Sequence, residues 1–356
     1  MLRTRTPSSL RARLARAGLS LVALAVPVGA GLWSVPGQAA AASTSSPAVD
    51  NVGLPPDVPN GHYPVTINDC GITTTYTHAP TRVITIEESS TEFMLALGLQ
   101  KRLVGTAYLD SPILPTYKAA YDTIPVLSKT SVSEEVVLAH HPDFVYGAYG
   151  DQFSASGSGT RQSLASNGVD TLLSPANCLS DSAGNHQLTF PVIWTEIRDL
   201  GEIFGVEHRA DALIASQQHE LAAVTAHGQP FKGLKVFWYD SGTTPPYVGA
   251  GDGVPELLMR TLGATNIFAS APGGWANGNW ETVVASNPDV IVFDNAVWDT
   301  TRHKERYLAQ TAATKSLKAV VDHRYVSLDF AYATPSVRNV AAVGILAAQL
   351  HRLHLR

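Results

Sequence analysis

Cysteine is nearly absent from this chain of 356 residues, which carries only Cys70 and Cys178. Both fall past the N-terminal segment, 108 positions apart. An even count in an oxidising compartment favours one disulfide, with two buried free thiols as the alternative. A loop of that length stabilises by about 4–5 kcal/mol in the chain-entropy description, strain aside. Charge is sparse too: charged residues make up 15% of the chain, the formal net charge is −5, and no dense Lys/Arg run occurs. That excludes nucleic acid as a partner. Beyond the N-terminus no apolar run approaches the length of a membrane span.

Catalytic signatures are missing as well. The chain has no Gly-x-Ser-x-Gly elbow, no His-Glu-x-x-His, no P-loop, and no dinucleotide Gly-x-Gly-x-x-Gly after a first strand. The turn at 249–253, Gly-Ala-Gly-Asp-Gly, lacks the Lys-Ser/Thr ending of a phosphate loop. A secreted enzyme acting on a small molecule is therefore the disfavoured alternative. The twelve histidines do not form a ligand set: His140 and His141 end one short helix, and His208, His219 and His227 lie on or after a long one. No metal site and no resident cofactor are expected.

What is present begins with Arg3, Arg5, Arg11, Arg13 and Arg16, an apolar stretch over 19–35, and small residues at 39–43. This reads as an export signal over 1–42, either cleaved or retained as an anchor, and places the protein outside the cytoplasm. Residues 43–60 are rich in Ser and Pro and read as a flexible tether.

With 45% hydrophobic residues, the remainder is long enough to build two α/β lobes. Strands are expected at 82–86, 103–107, 144–146 and 171–173, with a helix opened by the Ser89…Glu92 capping box and ended at Gly98. Residues 190–226 keep apolar side chains at a period near 3.6 and read as one long helix. Strands return at 234–238, 290–293 and 325–328, with helices at 255–262 and 336–351. The order predicts an N-terminal lobe over 61–188, a connecting helix over 189–228 and a C-terminal lobe over 229–356, each lobe with a parallel sheet.

An internal repeat is the most informative feature. Glu135, then Ala139, then Pro142-Asp143 ahead of a strand match Glu281, Ala285 and Pro288-Asp289, at a constant offset of 146. An acidic residue at a helix start is favoured by the helix dipole, by about 0.3–1 kcal/mol. The dipole does not explain why one such Glu marks each half.

The segment 82–99, the two Glu…Pro-Asp copies, the connecting helix, the turn at 248–253 and Thr334-Pro335-Ser336-Val337-Arg338-Asn339 together resemble the cluster A-type substrate-binding proteins of ABC importers for iron siderophores, haem and cobalamin. The resemblance spans about residues 63–351. It implies two Rossmann-like lobes joined by one long helix, with ligand in the cleft between them. It also implies an ABC permease and its ATPase as partners, a small-molecule chelate as cargo, and a monomer. Residue by residue, it places permease-docking glutamates at Glu135 and Glu281. Family members from Gram-positive bacteria usually carry a lipid-anchoring cysteine after the signal, whereas here none precedes Cys70. An iron siderophore is the leading ligand, with haem or cobalamin as alternatives.

Ligands of parallel α/β lobes lie beyond the carboxyl ends of strands. That rule nominates Ser89, Thr91, Tyr108 and Tyr149 in the first half. In the second half it nominates Tyr239, Tyr247, Trp275, Trp298, Tyr332 and Arg338. Aromatic walls with OH and NH edges suit the mixed apolar and polar surface of a chelate. Arg338 is expected to neutralise an anionic group.

Overall fold

The computed structural model describes residues 63–178, 187–226 and 228–355. The segments read as export signal and tether lie outside the described residues, as does His227. None of the described helices is long and apolar enough to cross a membrane.

The first described elements are an antiparallel hairpin of β1 (Val65–Asp69) and β2 (Ile72–Tyr76). Its two-residue turn puts both Cys70 (φ 52°) and Gly71 (φ 80°) in the left-handed region, the geometry whose twist matches a two-residue hairpin. The hairpin is tied down twice. Asp69 pairs with Arg161 at 2.6 Å and accepts the amide of Leu173, and Cys70 is disulfide-bonded to Cys178 with 5.2 Å between their Cα atoms.

The first lobe is then an all-parallel sheet of β3 (Val83–Ile86), β4 (Leu103–Ala107), β5 (Val126–Ser128), β6 (Phe144–Gly147) and β7 (Asp170–Leu173), ordered β5-β4-β3-β6-β7. The second lobe contains β8 (Lys235–Ser241), β9 (Tyr247–Gly249), β10 (Thr265–Asn266), β11 (Trp275–Asn277), β12 (Val290–Asn295) and β13 (Tyr325–Asp329). Its order is β11-β9-β8-β12-β13, with β10 beside the start of β8. Here the expected parallel sheet needs correction at one edge, since β9 runs antiparallel to both β8 and β11. The connection from Ser241 to Tyr247 is too short for a crossover, so the chain can only turn back.

Period-two alternation distributes the core. Val236 and Trp238 of β8, and Val290 and Val292 of β12, face one apolar cluster, while Phe237, Tyr239, Ile291 and Phe293 face another. The first of these clusters is shared: it also takes Val83, Phe144 and Tyr146 from the first lobe. Both sheets therefore back onto one continuous core, and each has a separate apolar cluster on its outer face.

The connecting segment fills that shared core, but not as one long helix. It is two helices, Phe190–Phe204 and Glu207–Thr225, broken where Gly205 takes φ 64°. A left-handed glycine is the usual helix terminator, and here it reverses the chain. The two helices pack antiparallel: Trp194 donates to Gln217 at 2.9 Å, and Gly201 lies so close to Ala210 that a Cβ on it would sit 2.6 Å from the Ala210 methyl. Apolar periodicity passes through this break unchanged because both helices bury a face in the same core.

The repeat resolves into two matched units. Helices Glu134–Ala139 and Trp280–Ser286 are capped by the side chains of Ser133 and Asn279, and each ends before a left-handed residue, His141 (φ 48°) or Asn287 (φ 43°). The aspartates then do the same work. Asp143 accepts the amides of Thr81 and Arg82 at the entry to β3, and Asp289 accepts the amide of Lys235 at the entry to β8.

Candidate functional site

A cleft of about 590 Å³ opens beyond the carboxyl ends of the strands, with walls from both lobes. The first lobe contributes Ile86, Tyr108, Asp110, Tyr149, Asp151 and Gln152, together with a hydroxyl-rich rim of Ser131, Ser154, Ser156 and Ser158. The second contributes an aromatic wall. Tyr247 stacks on Trp275 at 6.3 Å between centroids, Trp275 stacks on Phe330 at 5.8 Å, and Trp298 meets the Phe330 ring edge-on at 4.7 Å. Tyr247 and Trp298 remain 39% and 46% exposed, a large amount of unpaired apolar surface for a concave site.

Five of the ten nominated ligand residues thus line the cleft: Tyr108, Tyr149, Tyr247, Trp275 and Trp298. The other five are placed elsewhere. Ser89 is buried against Glu87, and the helix Glu88–Ala96 begins two residues earlier than the capping box suggested, with Glu87 as its cap. Thr91 shares a buried hydroxyl cluster with Thr85 and Thr106, 2.8 Å from each. Thr91 thereby faces the sheet, since Thr85 and Thr106 lie on β3 and β4. Tyr239 points into the outer core of the second lobe, its hydroxyl donating to the Gly242 carbonyl. Being odd-numbered on β8, it shares a face with Phe237 rather than with the cleft.

Arg338 does not offer its charge to a ligand. It is buried, donates to both carboxylate oxygens of Glu92 at 2.7 and 2.6 Å and to the Pro112 carbonyl, and lies over the Tyr332 ring. Tyr332 is thereby committed to packing. The nomination of Arg338 failed because its counter-charge lies 246 positions away, and no local pattern reveals such a partner.

Behind the cleft floor sits a group of buried acids. Glu87, directly after β3, holds a strained φ of 84° while its carboxylate accepts the Ser89 amide at 2.6 Å. Glu88 accepts the amide of Asp110 at 2.7 Å. Burial, then the neighbouring charge of Glu88, pushes the Asp110 carboxyl up to about 7. Burial first, then the charges of Glu87, Glu88 and Asp110, raises the Tyr149 phenol well above its usual value. Among the described residues its hydroxyl meets no hydrogen-bond partner. Asp110, Asp151 and Phe330 escaped the sequence reading, which took Ser, Thr, Tyr, Trp and Arg from the strand exits but no carboxylate and no Phe. Asp110 lies three residues past β4, and Phe330 directly follows β13.

Glu135 and Glu281 lie outside the cleft. Each is the second residue of its helix and exposed, one on each lobe. The only cluster of potential metal ligands among the described residues is Asp69 with Cys70 and Cys178, whose sulfurs are already joined.

Residues 83–332 match the family described as periplasmic binding protein. An uncharacterized ABC transporter substrate-binding lipoprotein of Bacillus subtilis (strain 168), YvrC, is 26% identical over 271 residues, 75% of this chain and 79% of that protein. Among solved structures, a periplasmic binding protein from Veillonella parvula superposes with a TM-score of 0.72 at 28% identity, covering 81% of this chain and 97% of its own. An ABC-type Fe3+-hydroxamate transport protein from Saccharomonospora viridis superposes with a TM-score of 0.68 at 24% identity, covering 82% and 99%.

Proposed function

The chain belongs to the periplasmic binding protein family, and from that premise we propose that it captures a ferric siderophore of the hydroxamate class and presents it to an ABC permease. The observation that carries this reading is the cleft between the lobes, walled by Tyr108 and Tyr149 on one side and by Tyr247, Trp275 and Trp298 on the other. Ring faces bury the apolar arms of a chelate while the serine rim and the tyrosine hydroxyls meet its polar edges. The protein works outside the cytoplasm as a monomer that binds without turnover. Glu135 and Glu281, projecting from matched helices of the two lobes, are its contacts with arginines of the permease.

Titration of the protein's tryptophan fluorescence against ferric hydroxamates, ferric catecholates, haem and cobalamin tests this reading. Quenching that saturates with a ferric hydroxamate at the lowest concentration is the expected result. Saturation by haem or cobalamin alone moves the assignment to that chelate.

A further inference from the structure

Among the described residues, every Asp, Glu, Lys, Arg or His that lines the cleft is acidic. Asp110 and Asp151 line it, and no Lys, Arg or His does. Directly behind, Glu87 and Glu88 are wholly buried, and each keeps one carboxylate oxygen without a hydrogen-bond partner. None of these four carboxyls belongs to an ion pair among the described residues. Arg338 spends its charge on Glu92.

Two independent features point the same way. Across the cleft, Tyr247, Trp275 and Phe330 stack in series, with Tyr247 39% exposed at one end of the row, and an exposed aromatic ring attracts cations at its face, the negative side of its quadrupole. On the first-lobe wall, the Tyr149 hydroxyl is sealed from solvent and, among the described residues, unpartnered. An anionic group entering here would meet Asp110 and Asp151 with no basic lining residue to compensate it. An ammonium group would find both an acid and a π face.

Accepting the capture reading above, we infer that this cleft selects chelates bearing a free ammonium group and discriminates against anionic ones. Asp110 and Asp151 are the residues that read the charge. A ferric trihydroxamate with a terminal primary amine fits this description. A ferric tris-catecholate, with its excess negative charge, and haem, with its two carboxylates, do not.

The test uses matched ligands that differ only in charge: one linear ferric trihydroxamate with its terminal amine free, acetylated, or succinylated to a carboxylate. Haem and its bis(aminoethyl)amide supply the same contrast on a second chelate. The amine form should bind about tenfold tighter than the acetylated form, a difference of about 1.4 kcal/mol, and the succinylated form should bind weakest. In Asp110→Asn/Asp151→Asn the three affinities should converge, with the melting temperature confirming that the variant is folded. Equal or tighter binding of the anionic member in the wild-type protein overturns the charge preference and leaves the capture reading intact. If only the haem pair binds, and the aminoamide binds better, the siderophore assignment falls while the charge preference stands. If no member of either set binds, both fall together.

Discussion

Arg338 and Glu92 close the two lobes onto each other. The guanidinium of one lobe grips both oxygens of a carboxylate in the other, at 2.7 and 2.6 Å, with 3% and 0% of the two side chains exposed. The carboxylate is completed by the Leu114 amide and the guanidinium by the Pro112 carbonyl. Close by, Ser111 of the first lobe accepts the Ala331 amide of the second.

Breaking this pair from one side leaves a buried charge with no partner. Glu92→Gln should cost roughly 3–5 kcal/mol of unfolding free energy, whereas replacing both residues together, Glu92→Leu with Arg338→Met, should recover most of it. Urea unfolding of the three proteins checks this. A single-variant loss below about 1 kcal/mol would show that water reaches the pair.

Trp298 and Tyr239 should separate binding from folding. Trp298→Ala removes an exposed ring of the cleft wall and should weaken ligand binding by about 1–3 kcal/mol with a small change in melting temperature. Tyr239→Ala removes a ring that contacts Phe237, Trp280 and Phe293 in the core, and should cost roughly 3–5 kcal/mol of stability. Parallel titrations and melts distinguish the two; equal effects of both substitutions on binding would place the cleft wrongly.

The paired glutamates should show the reverse separation. Glu135→Ala/Glu281→Ala should leave chelate affinity unchanged and alter stability by less than about 1 kcal/mol, the size of a helix-end charge effect. Uptake in cells should fall sharply, because two charge-assisted contacts are lost at one interface. Exchanging permease arginines for glutamates and testing lysines at positions 135 and 281 provides the rescue. Undiminished uptake by the double variant refutes the docking role.

Glu196 makes stability depend on pH. It is fully buried, accepts from Tyr146 and Ser174, and burial first of all lifts its carboxyl from 4.5 to about 8. The folded state therefore holds a proton that the unfolded chain releases. Its stabilising contribution is complete below about pH 4.5 and declines as pH rises, levelling off above about 8. Each tenfold difference in proton affinity between the folded and unfolded states corresponds to about 1.4 kcal/mol, so the decline amounts to roughly 5 kcal/mol. In Glu196→Gln, denaturation midpoints at about pH 5.5 and about pH 8.5 should move closer together than in the wild-type protein. An unchanged gap assigns the dependence to other buried acids.

The parts of this fold written in local patterns were legible in the sequence. β3, β4, β6, β8, β12 and β13 each announce themselves as β-branched runs, and the duplicated Pro-Asp was visible although its task was not. That task, bracing the amide at the start of a neighbouring strand, depends on pairing between distant segments. The helical hairpin was hidden for a related reason: Gly205 could be a tolerated interior glycine until its φ of 64° is known. The strand-exit rule found the cleft, and reached Tyr108, Tyr149 and Trp298. It misplaced Tyr239 because one residue of register decides which face of a strand a side chain takes. Arg338 was lost to a partner in the other lobe.

The bond between Cys70 and Cys178 makes the first lobe a closed covalent ring of chain. A protease that nicks this ring once, for instance after the exposed Lys129, leaves both fragments on one molecule. They migrate as a single band on a denaturing gel until thiol is added. A nick after Lys232, also exposed, falls between the ring and the second lobe. There the halves part in denaturant without any reductant, because only the shared core and polar contacts such as Arg338 with Glu92 hold them together. The two lobes of one architecture thus differ in how they survive damage: the first keeps its pieces by a bond, the second only by its packing.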